Sequence, residues 1–120
     1  MTALNRRVIL SGIAGFTAGA LLRDARAAYP ERPITLVVPF APGGSTDILA
    51  RLVAGYLHQA LGQPVIVENR SGASGNIGTA IVARSAPDGY TLLFNTMSVH
   101  TMNHALFAAM PFDGVNDFSP

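Results

Sequence analysis

The chain has 120 residues, 49% hydrophobic and 12% charged, a balance too apolar and too weakly charged for a disordered chain. It contains no cysteine, which excludes disulfides and thiolate metal sites. Its formal net charge of +1 belongs to the first segment: beyond residue 27 four arginines face six carboxylates, a net charge of −2 that makes no basic surface for nucleic acid.

Residues 1–27 read as a secretory signal peptide. Arg6-Arg7 precede an apolar run from Val8 to Leu22, and Ala25-Arg26-Ala27 supplies a small-x-small cleavage site. The run falls short of the ~20 residues that a membrane span requires, and it carries Gly12, Gly15 and Gly19. The Arg pair partly matches a twin-arginine signal, and a Sec signal fits equally. The expectation is export, cleavage near Ala27, and a mature part with no direct membrane insertion.

The remainder alternates strand-like and helix-like segments. "ITLVVPF" (Ile34 to Phe40) is a continuous β-rich apolar run, as expected of a strand buried on both faces. The loop "PFAPGGSTD" leads into a helix in which Ile48, Leu49, Leu52, Val53, Tyr56, Leu57, Ala60 and Leu61 recur at helical spacing. Ser45 or Thr46 is the expected N-cap, and Gly62 stands where a helix-terminating glycine belongs. "PVIVEN" (Pro64 to Asn69) reads as a second strand and "RSGASGN" as a loop. "IGTAIVARSA" reads as a short helix whose Ile77, Ile81 and Val82 can face a sheet. After a Pro87-Asp88-Gly89 turn, "YTLLFNT" is a third strand. "SVHTMNHALFAAM" is a helix with Val99, Met102, Leu106 and Phe107 roughly on one side, and "PFDGVNDFSP" is loop-like. The order β-α-β-α-β-α predicts an α/β fold with a parallel sheet and right-handed crossovers.

In such sheets ligands bind at the carboxyl ends of the strands. There a helix N-terminus offers free N–H groups and partial positive charge, and glycine lets the backbone approach a ligand. "PFAPGGSTD" lies at that edge and makes a plausible anion cradle, although an ordinary turn accounts for it equally well. "GASGN" and Thr96 to His100 follow the second and third strands to the same edge. Asp47 would repel an anionic ligand if it pointed into the cleft, so a capping or supporting role is expected of it. Walker, dinucleotide-binding and nucleophile-elbow patterns are absent. His100 and His104 are four apart, but no third metal ligand is apparent, and a polar helix surface is the simpler reading.

Beyond this edge, the motifs themselves carry a resemblance. Tyr29-Pro30, "VPFAPGGSTD", "LGQPVIVENRSGASGNIG", "APDGYTLL" and "MPFDGVNDFSP" together closely resemble the substrate-binding proteins of tripartite tricarboxylate transporters, the Bug-type periplasmic receptors. The resemblance covers essentially all of 28–120. It implies a type II periplasmic-binding fold, in which two α/β lobes close on a small organic acid, with residues 28–120 forming a partial, incomplete first lobe. It implies no cofactor and no catalysis. The ligand would be a small carboxylate held by loop backbone groups and ordered water, and the partners would be the membrane subunits of the transporter. By position, the ligand-binding candidates are Phe40, Ala41, Pro42, Gly43, Gly44, Ser45, Thr46 and Asp47 in the first loop. Gly72, Ala73, Ser74, Gly75 and Asn76 follow in the second, and Thr96, Ser98 and His100 in the third. The amides of Gly43, Gly44 and Ser45 lead this set. With one lobe, millimolar affinity at most is expected. Two other readings stay open: a truncated, non-binding remnant of such a receptor, and a small secreted α/β hydrolase that lacks an identifiable nucleophile–base pair.

Overall fold

The computed structural model describes residues 28–120; the signal-peptide reading of 1–27 lies outside them. The elements are β1 (Ile34–Val38), α1 (Ser45–Leu61), β2 (Val65–Asn69), a single 3₁₀ turn (Ala73–Gly75), α2 (Asn76–Ala83), β3 (Thr91–Leu93) and α3 (Met97–Leu106). The three strands form one parallel sheet in the order β2-β1-β3. Ile34 pairs with Val65 and Val38 with Asn69 on one side, and Thr35 with Thr91 and Val37 with Leu93 on the other. This is the expected α/β class with parallel pairing.

β1 is central because its sequence allows it. Ile34, Leu36, Val37 and Val38 are all buried, which requires cover on both faces. Burying each such side chain contributes about 1.5–3 kcal/mol. Leu36 and Val38 pack with Ala50 and Ala54 of α1, and with half-buried Val65, Val67, Leu92 and Phe94. A second cluster joins Ala80 of α2, Val99 of α3 and Phe112. Phe40 packs against both clusters and so ties the first loop to the whole core.

The helices differ from their predicted faces. α1 turns Ala50 and Ala54 to the sheet, while Ile48, Leu49, Leu52 and Tyr56 are more than half exposed. α1 is apolar around most of its circumference, so periodicity does not select its face; the small residues are the ones in contact with the sheet. On α2, Ile77 and Ile81 likewise point outward, and Gly78, Thr79 and Ala80 are buried. The reason is close approach: a Cβ on Gly78 would lie 2.5 Å from the Arg70 carbonyl oxygen and 2.8 Å from Pro39 Cβ. On α3 only Val99 and Asn103 are buried, whereas Met102 and Leu106 are exposed. The N-cap of α1 is Gly44, not Ser45 or Thr46, and no side chain caps it. Gly62 does end α1 in a left-handed conformation, its N–H donating to the His58 carbonyl at 2.9 Å.

Candidate functional site

Because the sheet is parallel, the loops after β1, β2 and β3 all leave from its carboxyl edge, and α1, α2 and α3 start there. Backbone bonds extend the pairing into these loops: Arg70 N–H donates to Val38 O at 2.8 Å and Phe94 N–H to Val37 O at 2.9 Å. The three loops meet near Gly75, where an added Cβ would lie 3.0 Å from Val99 Cγ2, 3.4 Å from Phe40 Cζ and 3.6 Å from Pro39 Cβ.

In the first loop Ala41, Pro42, Gly43, Gly44 and Ser45 are exposed, and Phe40 and Thr46 are half-buried. Gly43 holds φ at 85°, a left-handed turn that other residues adopt only with strain. Asp47 is 3% exposed, and its carboxylate organises the loop. Its Oδ2 accepts from the Gly43 N–H at 2.9 Å and from Arg51 Nε at 3.0 Å; its Oδ1 accepts from Asn69 Nδ2 at 2.9 Å. Asn69 Nδ2 also donates to Phe40 O at 3.1 Å, and Asn69 Oδ1 accepts from Arg51 Nη2 at 3.3 Å. Hydrogen bonds from Arg51, Gly43 and Asn69 hold the Asp47 pKa at about 2, below its usual 3.8.

Two consequences follow for the residues predicted from sequence. Asp47 faces the interior of the loop with both oxygens engaged. The Gly43 N–H, one of the three amides expected to lead the ligand donors, is engaged by Asp47. The amides of Gly44, Ser45 and Thr46 remain, with no acceptor among the described residues, at the uncapped and positive end of a 17-residue helix.

The second loop is built on four successive residues with positive φ: Gly72 at 138°, Ala73 at 45°, Ser74 at 54° and Gly75 at 92°. Ala73 and Ser74 carry a Cβ in this region, at a cost of about 1–2 kcal/mol each. Asn103 of α3 offsets that strain, donating from Nδ2 to Ser74 O at 3.0 Å and to Asn76 Oδ1 at 2.7 Å. Thr79 Oγ1 donates to Gly75 O at 2.8 Å. Asn76 is buried and directed inward, its Nδ2 lying 3.8 Å from Met110 Sδ. Ala73 and Ser74 are exposed at the edge.

In the third loop Thr96 Oγ1 and Ser98 Oγ are 2.7 Å apart at the start of α3. His100 turns away toward the 112–118 segment. Its ring stands edge-on to Phe112 and Phe118, at centroid distances of 6.3 and 5.3 Å, and its Nε2 is 3.0 Å from Asn95 Nδ2. A groove of about 530 Å³ lies behind the second loop, lined chiefly by Ile77, Ala80, Ile81, Phe107, Met110 and Pro111; it includes Ala73 and Asn76 but no first-loop residue. Among the described residues no group of three His, Cys, Asp or Glu side chains could hold a metal, and no helix is long and apolar enough to cross a membrane.

Arg51, Asn69 and Asn103 are the residues that sequence reasoning missed as parts of this edge. The i,i+4 spacing of Asp47 and Arg51 was a visible signal for the first.

Periplasmic binding proteins are one class built on such a parallel α/β unit, and solved structures of that class match this chain. MatC from Rhodopseudomonas palustris, solved with bound malate, superposes with a TM-score of 0.74 at 42% identity over 77% of this chain and 31% of that one. The R. palustris protein Rpa4515, solved with adipate, gives 0.69 at 45% identity over 72% of this chain and 29% of that one. The model of the tripartite tricarboxylate transporter family receptor matches residues 49–120, and the chain belongs to that family. The protein BugT of Bordetella pertussis is 44% identical over 118 residues, covering 98% of this chain and 36% of BugT. The chain thus spans about a third of the length of the curated relatives it matches.

Proposed function

We propose that residues 28–120 form part of the first lobe of a periplasmic solute-binding receptor, and that this lobe seats one carboxylate of a small di- or tricarboxylic acid. The observation that carries the reading is the start of α1, which no side chain caps, beside a loop held by Asp47. Main-chain donors at a helix N-terminus suit any carboxylate, and charge-assisted hydrogen bonds of this kind contribute about 1.5–3 kcal/mol each. Ser74, Thr96 and Ser98 supply hydroxyls at the same edge for direct or water-bridged contact. The malate and adipate of the R. palustris relatives support the substrate class.

In this reading residues 1–27 direct export and are removed near Ala27. The receptor then delivers its acid to the membrane subunits of a tripartite tricarboxylate transporter, performing no chemistry itself. Amide ¹⁵N–¹H shifts of the chain during titration with malate, adipate and glucose test the seat. The two acids should move Gly44, Ser45 and Thr46 with a millimolar midpoint, and glucose should leave them in place. Equal responses to all three, or none, would refute the assignment.

A further inference from the structure

The first loop contains an electrostatic contradiction. The Gly43 turn takes its shape from a carboxylate, since Asp47 Oδ2 accepts the Gly43 N–H at 2.9 Å. That same charge is bound by the residue adjoining the Gly44 amide. An unbalanced carboxylate there would repel an anionic solute and cancel the positive end of the α1 dipole.

We infer that Arg51 is a specificity-determining residue: its guanidinium neutralises Asp47, so that a loop shaped by one carboxylate can accept another. The inference rests on the carboxylate seat proposed above. Arg51 Nε lies 3.0 Å from Asp47 Oδ2, and its Nη2 reaches Asn69 Oδ1 at 3.3 Å, so the guanidinium spans α1 and the end of β2. Arg70, at the end of β2, is paired with Glu68. The Arg51 side chain is itself 54% exposed, whereas that of Asp47 is 4% exposed. Substitution at 51 therefore changes the charge balance with little loss of packing. Arg51 acts through Asp47 and makes no contact with the solute in this account.

Lysine and glutamine at position 51 separate charge from hydrogen bonding, since both keep an N–H donor and only lysine keeps the charge. The test measures malate affinity of the full chain by amide shifts of Ser45 and Thr46 in wild type, Arg51→Lys and Arg51→Gln. Arg51→Lys should stay within about twofold of wild type. Arg51→Gln should weaken malate by about three- to tenfold, the Coulomb penalty of one uncompensated charge a few ångströms away in a largely aqueous setting. Equal affinities for Lys and Gln, or an unchanged Gln variant, would overturn the charge-balancing role while leaving the seat intact. Wild-type amides that ignore malate would overturn the seat and this role together.

Discussion

Asp47 organises the first loop from within, both of its carboxylate oxygens engaged by Gly43, Arg51 and Asn69. Its lowered pKa means that the folded chain holds it ionised more firmly than the unfolded chain does. A depressed carboxylate pKa gives stability that is fully present above pH ~4 and is lost as pH falls toward 2. Carboxyl-detected NMR should therefore place the Asp47 midpoint near 2; a midpoint at the ordinary 3.8 would show that the Gly43, Arg51 and Asn69 bonds are absent in solution. Asn103 plays the matching part in the second loop. It is 4% exposed and serves two acceptors, Ser74 O and Asn76 Oδ1. Asn103→Ala leaves both unpaired, and urea unfolding should register a loss of about 2–4 kcal/mol. A loss below 0.5 kcal/mol, on the order of an ordinary surface change, would mean that those bonds are not made. Neither Asn69 nor Asn103 was legible as a site residue. Their partners lie 22 and 27 residues away in sequence, and no local pattern records a bond across the fold.

At the scale of elements, the alternation of strands and helices was legible because β1 is a continuous apolar run and proline or glycine punctuates each turn. The faces of the helices were not legible. α1 offers apolar residues on nearly every side, and the choice falls to Ala50 and Ala54. Size thus decides where hydrophobicity does not. Leu52→Gln should change stability by less than about 0.5 kcal/mol, while Ala54→Leu, which overfills a packed contact, should cost about 1–3 kcal/mol. The reverse order in chemical denaturation would contradict the placement of α1. Gly78 offers a sharper case, since Arg70 O and Pro39 occupy the space of any Cβ. Gly78→Ala should destabilise by at least about 1 kcal/mol despite the higher helix propensity of alanine.

At the scale of the whole molecule, α1, α2 and α3 all turn large apolar side chains outward: Ile48, Leu52 and Tyr56, then Ile77 and Ile81, then Met102 and Leu106. Exposed apolar side chains on all three helices favour association. Sedimentation of residues 28–120 should show an apparent mass that rises with concentration; a monomer with a sharp, concentration-independent melt would contradict that expectation. The loops at the sheet edge turn mostly small, polar and main-chain groups outward, with Met97 the large apolar exception, and it is there that the proposed seat for a charged solute lies. The most direct test of that seat is a crystal of the chain grown or soaked with malate. A malate carboxylate oxygen should lie within about 3 Å of the Gly44 or Ser45 nitrogen, with Asp47 still bound to Arg51. Malate ordered elsewhere, in the groove behind α2 for example, with those two amides bare would contradict it.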